Sequence, residues 1–374
     1  MMAPHAGLER RVLTALEASP PRIPVVLGGC GTGRTTALHA LVDRLGREHC
    51  QYIDVERAAS TPERFFNAVA SASPFAQTPA ADAPRSAREA FTHTLGYFNK
   101  ARAANRPATF LLDEVLELRT FESFPGLRHV LRELVQSLSE SGSRFVLTSR
   151  YVSRAHRLLR DGAARFEVIH LPPLSASEVS AMVPPMGDTP ADDREALSRT
   201  IQALSDGRAS YVHAISEATA GAGGRTADPI SALTALLTTD GSLAAWCGYR
   251  YELRLHRARG YGALKAILEI LADEEPLTLT EISHRLHRTP GSTKDYLSWL
   301  EDVDLVVSRQ KRYSFADPLL RLWVRLHCRP VPPGVDEVAR EVQTYALARL
   351  PQSEPSLALA GAGTRKGWGI IEID

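Results

Sequence analysis

The sequence predicts an α/β fold: a parallel sheet with a glycine-rich loop at its edge, then a helical region and a winged helix–turn–helix unit. Three stretches carry that expectation. Ile23 to Ala37 runs from an apolar, β-branched segment through a glycine cluster into a helical pattern. Thr109 to Val115 has the pattern of a buried strand and ends in Asp113 and Glu114. Tyr261 to Phe315 reads as three helices closed by a hairpin, the order of a winged helix.

The first stretch has the strand–loop–helix context of a phosphate-binding loop. Gly28, Gly31 and Gly33 let the backbone curl so that successive N–H groups point at an anion. The helix start behind them adds unpaired donors and the positive end of its dipole. The pattern G-x-x-x-x-G-K-[ST] is met at Gly28, Gly33 and Thr35, but Arg34 stands where lysine is expected. Candidate phosphate ligands are Gly28, Gly31, Thr32, Gly33, Arg34, Thr35 and Thr36. Lysine occurs only at Lys100, Lys265, Lys294, Lys311 and Lys366, so drift under a general bias toward arginine also accounts for Arg34.

Bulk properties narrow the class. A chain of 374 residues can form two to three domains. Its formal net charge of +1 removes any global electrostatic case for nucleic acid, so such a surface has to be local. Cys30, Cys50, Cys247 and Cys328 lack metal-binding spacing, which makes a reduced cytoplasmic protein the expectation. Cys30, inside the loop, is either an oxidation-sensitive thiol or a small filler. No stretch has the apolar core of a signal peptide or the length of a membrane span.

Taken in order, Leu8 to Leu16 is amphipathic and leads into the Ile23 strand. After the loop and its helix, Cys50 to Val55 reads as a second strand and Pro62 opens another helix. Thr78 to Ser86 is an Ala- and Pro-rich loop, and Arg88 to Ala103 is helical again. The strand at Thr109 ends in two acids at the edge where parallel sheets place ligands. Asp113 there can hold Mg²⁺ through water, and Glu114 can polarise an attacking water. Leu127 to Leu138 carries one apolar stripe. Arg144 to Tyr151 reads as a further strand whose tip holds Ser149 and Arg150. Ser149 is placed either to sense a γ-phosphate or to cap the next helix, and Arg150 to bring positive charge beside phosphates. Phe166 to Leu171 supplies a fifth strand before Pro172-Pro173. Strands alternating with helices indicate a parallel, three-layer core.

From Ser175 the texture turns helical, with an interruption at Asp206–Ser210 and a glycine-rich, hinge-like stretch at Gly221–Thr226. In the following unit Thr278 and Glu281 have capping-box spacing. The expected boundaries are 1–174 for the sheet core, 175–256 for a helical lid, 257–328 for the winged helix, and 329–374 for a helix and tail.

These residues carry a family resemblance. Gly28–Thr35, Leu111–Glu114 and Thr148–Arg150 resemble the Walker A, Walker B and sensor 1 elements of AAA+ proteins. More narrowly, the chain resembles the archaeal-type ATPases of the STAND group. Pro172-Pro173-Leu174-Ser175 with Glu178 is similar to the segment leaving their last core strand, and Asp317 to Trp323 to the segment closing their winged helix. The resemblance spans about Pro21 to Leu326 and implies ATP and Mg²⁺ as ligands. It implies that Thr35 binds Mg²⁺ with help from Asp113, that Thr36 holds the α-phosphate, and that Glu114 activates water. Ser149 or Arg150 would report on the γ-phosphate. Arg34 departs from the pattern, as does Arg208-Ala209 where a Gly-x-Pro contact is usual. Arg208 is read as solvated linker charge in preference to a sensor 2 cation.

The expected function is an ATP-binding switch with slow hydrolysis. Guanidinium is broad and bidentate where lysine is a compact point charge, so Arg34 keeps charge and displaces geometry. The winged helix offers Arg288, Thr289, Ser292, Thr293 and Lys294, and its wing Arg309, Lys311 and Arg312, against Asp295, Glu301, Asp302 and Asp304. Double-stranded DNA is the favoured partner of Lys294, Arg309, Lys311 and Arg312, with a protein partner as the alternative. Self-association is left open. Competing readings are a non-catalytic, nucleotide-gated DNA-binding regulator and a protein-interaction adaptor with a decayed nucleotide site.

Overall fold

The computed structural model describes residues 6–75, 83–103, 106–160, 165–184, 191–221, 228–258 and 260–350. The loop expected at Thr78–Ser86 and the hinge expected at Gly221–Thr226 fall largely outside these residues, and the tail beyond 350 lies outside them.

Five short runs form one parallel sheet whose central strands are buried on both faces, while the edge strand Phe166–His170 is partly open. They are β1 (Ile23–Leu27), β2 (Cys50–Asp54), β3 (Thr109–Asp113), β4 (Arg144–Ser149) and β5 (Phe166–His170). The order across the sheet is β2-β3-β4-β1-β5, and every pairing is parallel. Side chains alternate between two layers, as the period of two requires. Val25, Leu27, Phe110, Leu112, Phe145 and Leu147 join one apolar cluster, and Val26, Leu111, Val146 and Ile169 join the other. The Phe110 and Phe145 rings stack at 5.5 Å within the first layer.

Strand order decides what meets at the carboxyl edge. β3, β4 and β1 are neighbours, so the tips carrying Asp113-Glu114, Ser149-Arg150 and Gly28 lie side by side. The loop helix (Arg34–Leu45) starts directly behind Gly33, which has φ 97° and caps it without a side chain. Left-handed backbone there suits glycine.

The helical half has its own core. Leu174 through Ala346 contribute to a single apolar cluster that includes both the lid helices and the winged helix. The lid contains helices Ala191–Ser205, Ala209–Ala220 and Ser242–His256. The winged helix consists of helices Tyr261–Asp273, Leu279–Arg285 and Pro290–Asp302 with three strands. The strands are β6 (Leu277–Thr278), β7 (Val306–Arg309) and β8 (Arg312–Phe315), ordered β6-β8-β7 and antiparallel. Gln310 and Lys311 turn the wing with φ 51° and 62°. The Thr278–Glu281 capping box is formed. Sequence reading missed β6, a two-residue strand too short for any periodic signal. No helix among the described residues is long and apolar enough to cross a membrane.

Candidate nucleotide site

A cavity of about 540 Å³ opens at the carboxyl edge of the sheet. The loop residues Cys30 to Thr36 form one wall and the tips of β2 and β3 another, while the lid closes it through Met182, Ser210, His213 and Arg250. This volume lies in the range of small-molecule and cofactor sites.

Asp113 gathers three hydroxyls at one side of the cavity. Its Oδ2 accepts from Thr35 Oγ1 at 2.7 Å and from the Tyr52 hydroxyl at 3.0 Å, and its Oδ1 accepts from Thr148 Oγ1 at 2.5 Å. Burial first, then the Asp113 carboxylate, pushes the Tyr52 phenol well above its ordinary value, so Tyr52 stays a donor at neutral pH. The Thr35 hydroxyl and the Asp113 carboxylate form an all-oxygen donor pair, which fits Mg²⁺ completed by phosphate and water oxygens.

Arg34 lies at the floor of the cavity and is buried. Its Nη1 donates to the carbonyls of Gly28 and Gly29, and its Nη2 donates to Glu114 Oε1 at 2.5 Å. Nε has no hydrogen-bond partner among the described residues. Arg34 therefore braces the loop from inside, which a single ammonium could not do at all three points. The loop helix, with no side-chain cap, points its first amides at the same space. A triphosphate fits this cradle.

Glu114 is held on both sides. Arg34 takes Oε1, and the Arg150 N–H donates to Oε2 at 3.0 Å. Burial by itself raises this carboxyl's pKa; Arg34 and then Arg150 outweigh it, so Glu114 titrates below the ordinary glutamate range. Its backbone is left-handed, with φ 56°.

Arg150 lines the cavity, as expected of a charge at that strand tip, but its guanidinium is taken by Glu56 at 2.6 Å and Glu117 at 3.0 Å. Ser149 is not brought to the cavity. It is fully buried, and its hydroxyl accepts from the Tyr151 N–H at 3.0 Å at the start of helix Val152–Leu159. Neither expectation for Ser149 is met: helix Val152–Leu159 has Tyr151 as its N-cap with no side-chain cap, and alternation along β4 turns Ser149 to the opposite face from Thr148. Thr148 is the hydroxyl of this tip: it donates to Asp113 and accepts from the Glu114 N–H at 3.0 Å. Thr148→Val should therefore weaken nucleotide affinity at least tenfold, whereas Ser149→Ala should leave it within twofold (about 1.4 kcal/mol against a few tenths). Isothermal titration with ATP and Mg²⁺ checks both; equal effects would remove the distinction. Gly28 sits behind the cavity wall with its N–H 3.4 Å from Ser149 O, while Gly31, Thr32, Gly33, Thr35 and Thr36 line it.

Arg208 corrects a sequence expectation. It is buried, not solvated. Its Nη1 donates to Cys30 O in the loop at 3.0 Å and lies 3.4 Å from Asp317 Oδ2, while Nη2 donates to Ala316 O. A Cβ on Gly29 would fall 2.9 Å from this guanidinium and 3.1 Å from Asp304 Oδ2, so only glycine lets the loop approach so closely. Asp304 belongs to the turn between the third winged-helix helix and β7, and Arg254 of the lid donates to its carbonyl at 3.0 Å.

Sequence reasoning also missed a basic stripe on the lid helix Ser242–His256. Arg250 lines the cavity and stacks on Trp246 at 4.0 Å. Arg257, just past the helix end, reaches Glu117 at 2.7 Å and Glu56 at 3.1 Å. The spacing Trp246, Arg250, Arg254, Arg257 is a helical repeat, so the signal was present.

No protein-family model matches the chain, and no curated protein matches it. Among solved structures it is similar to the Walker-type ATPase of Pyrococcus abyssi, at 18% identity and a TM-score of 0.65, covering 87% of this chain and 96% of that one. It is also similar to the ORC2 protein of Aeropyrum pernix, whose structure holds ADPNP and ADP, at 15% identity and a TM-score of 0.50, covering 91% of this chain and 92% of that one.

Proposed function

We infer that the chain is a P-loop ATPase, from a fold similar to that of the Pyrococcus abyssi Walker-type ATPase: a parallel-sheet core, a helical region and a winged helix. We propose that it binds ATP with Mg²⁺ and acts as a switch that couples nucleotide state to the position of the winged helix. One observation carries this reading: Arg208 joins the loop carbonyl of Cys30 to Asp317 and Ala316 at the close of the winged helix. A change in the loop is felt directly at that junction.

In this reading the loop amides and Arg34 hold the phosphates. Thr35 and Asp113 hold the metal, and Thr36 meets the α-phosphate. Bound Mg²⁺ would neutralise phosphate charge and bridge phosphate oxygens. Glu114 polarises water once a nucleotide draws Arg34 away from it. Until then its carboxylate is occupied, which supports slow hydrolysis. The same observation favours the second reading, a nucleotide-gated regulator that does not hydrolyse. The open cavity and the Thr35–Asp113 bond weigh against an adaptor with a decayed site. Lys294, Arg309 and Lys311 are exposed and suit duplex DNA, while Arg312 is turned to the Pro276 carbonyl at 3.0 Å.

Glu114→Gln separates the readings. Binding of ATP and Mg²⁺ should raise the melting temperature of both proteins, by an amount corresponding to about 2.7 kcal/mol at a hundred times Kd. Turnover should fall by roughly 10²–10³ in the variant. Equal ADP release would make Glu114 a structural acid and leave the gated regulator. Absence of a thermal shift would remove the nucleotide reading.

A further inference from the structure

A second polar cavity, of about 370 Å³, lies away from the nucleotide site, between the core and the winged helix. Its walls carry Arg128, Arg132, Arg154 and Arg157 against Glu122 and Asp302. The sequence places these cations there by simple periodicity. Leu127, Val130, Leu131 and Leu134 bury one face of helix Val130–Glu140 and the turn before it, which leaves Arg128 and Arg132 outward at i, i+4. Ala155 and Leu159 do the same in helix Val152–Leu159, which leaves Arg154 and Arg157 outward at i, i+3.

Charge in this groove is poorly neutralised. Among the described residues Arg157 pairs with Asp302, and no carboxylate ion pair is formed by Arg128, Arg132 or Arg154. Burial first, then the neighbouring Arg119, pulls the Arg154 guanidinium below its ordinary value, with Asp302 and Glu122 opposing. Such a cluster is tolerated in an open groove where an anion can enter. His129, Leu131 and Leu158 complete the lining, in which four guanidiniums face two carboxylates. What the groove can recognise is phosphate charge.

The groove also has a direction. Asp302 ends the third helix of the winged unit, and Ser298 and Lys294 follow it backwards at i−4 and i−8 along one stripe. The stripe covers about 12 Å, at 1.5 Å per residue, or three to four base-pair steps of a duplex. At its far end stands the exposed Lys294, with Arg309 and Lys311 exposed on the wing.

We propose that this arginine groove is a contact site for the phosphate backbone of duplex DNA, through which the nucleotide-binding core itself grips DNA held by the winged helix. The proposal extends the winged-helix DNA reading and rests on it for the position of the duplex. Because the groove is walled by both the core and helix Pro290–Asp302, a strand lying in it also ties the two together.

The test is fluorescence anisotropy of a short labelled duplex over a series of salt concentrations, with the full chain. Arg132→Ala/Arg154→Ala should weaken binding roughly 30-fold near physiological salt and flatten the slope of log K against log salt by about 1.8, or 0.9 for each lost phosphate contact. Glu122→Gln should tighten binding roughly twofold, an effect that misfolding cannot produce. Arg309→Ala/Lys311→Ala reports on the wing separately. Weakening by the wing variant alone, with an unchanged slope in the groove variant, overturns the groove and leaves the winged-helix reading standing. Weakening by both variants supports the groove, and weakening by the groove variant alone overturns the proposal, because the wing would then not hold the duplex. Displacement of the duplex by inorganic triphosphate from the wild type and the groove variant alike overturns the groove, and so does a wild type that binds no duplex.

Discussion

Arg34→Ala should cost the core about 3–5 kcal/mol and abolish measurable nucleotide binding. The side chain is 7% exposed and serves three partners, the carbonyls of Gly28 and Gly29 and the carboxylate of Glu114. Its removal leaves Glu114 buried against Arg150 alone and two loop carbonyls short of a donor. At roughly 2–4 °C per kcal/mol for a domain of this size, the melting temperature should fall by about 10 °C. The acid limb gives an independent readout. Glu114 titrates below its ordinary value in the folded chain, so its pairing adds stability that is present above the ordinary glutamate range near pH 4.5 and is lost as pH falls through the folded value. Without Arg34 the upward push of burial is opposed less, and acid unfolding should begin at higher pH. Identical acid limbs for wild type and variant would show that this pair contributes nothing. Arg34→Lys is the complementary case. An ammonium cannot brace both carbonyls and Glu114 together, so it should free the carboxylate and raise ATP turnover above wild type; comparable ADP release would remove the reason for calling the site slowed.

Arg208→Ala should uncouple the two halves of the molecule. The guanidinium is buried and links the loop, the lid and the segment that closes the winged helix. Truncation leaves Asp317 with the Tyr211 hydroxyl at 2.7 Å and two helix-start amides as donors, but without a cation. Breaking a buried pair of this kind costs about 3–5 kcal/mol. Burial already raises the Asp304 carboxyl, with Arg254 and then Arg208 opposing, so loss of Arg208 should raise it further. Calorimetry should show one transition in the wild type and two in the variant, the core melting apart from the helical half. Arg208→Lys should not rescue, since one ammonium cannot reach Cys30, Ala316 and Asp317 at once. A single transition at an unchanged midpoint would mean that the bridge carries no coupling.

Much of the fold was legible because its signals are local. The unbroken apolar runs of the core strands, the glycines that tolerate positive φ, and the capping box at Thr278 are each visible within a few residues. The nucleotide loop and the acidic strand tip were legible for the same reason. Thr148 was passed over for Ser149 because both are hydroxyls at one tip; only the pleat says which faces Asp113. The lid arginines were passed over because their repeat lies far from the loop in the chain, although Arg250 ends beside it.

By itself the sequence determined the α/β core, the loop, the acids across from it and the winged helix, since each depends on backbone preference and apolar pattern over short spans. The tertiary structure alone decided where the arginines went. Arg34 finds Glu114 eighty residues away, and Arg208 finds Asp317 across two units. A charge is committed by the partner that relieves its burial, and that partner is chosen by folding, not by proximity in the chain.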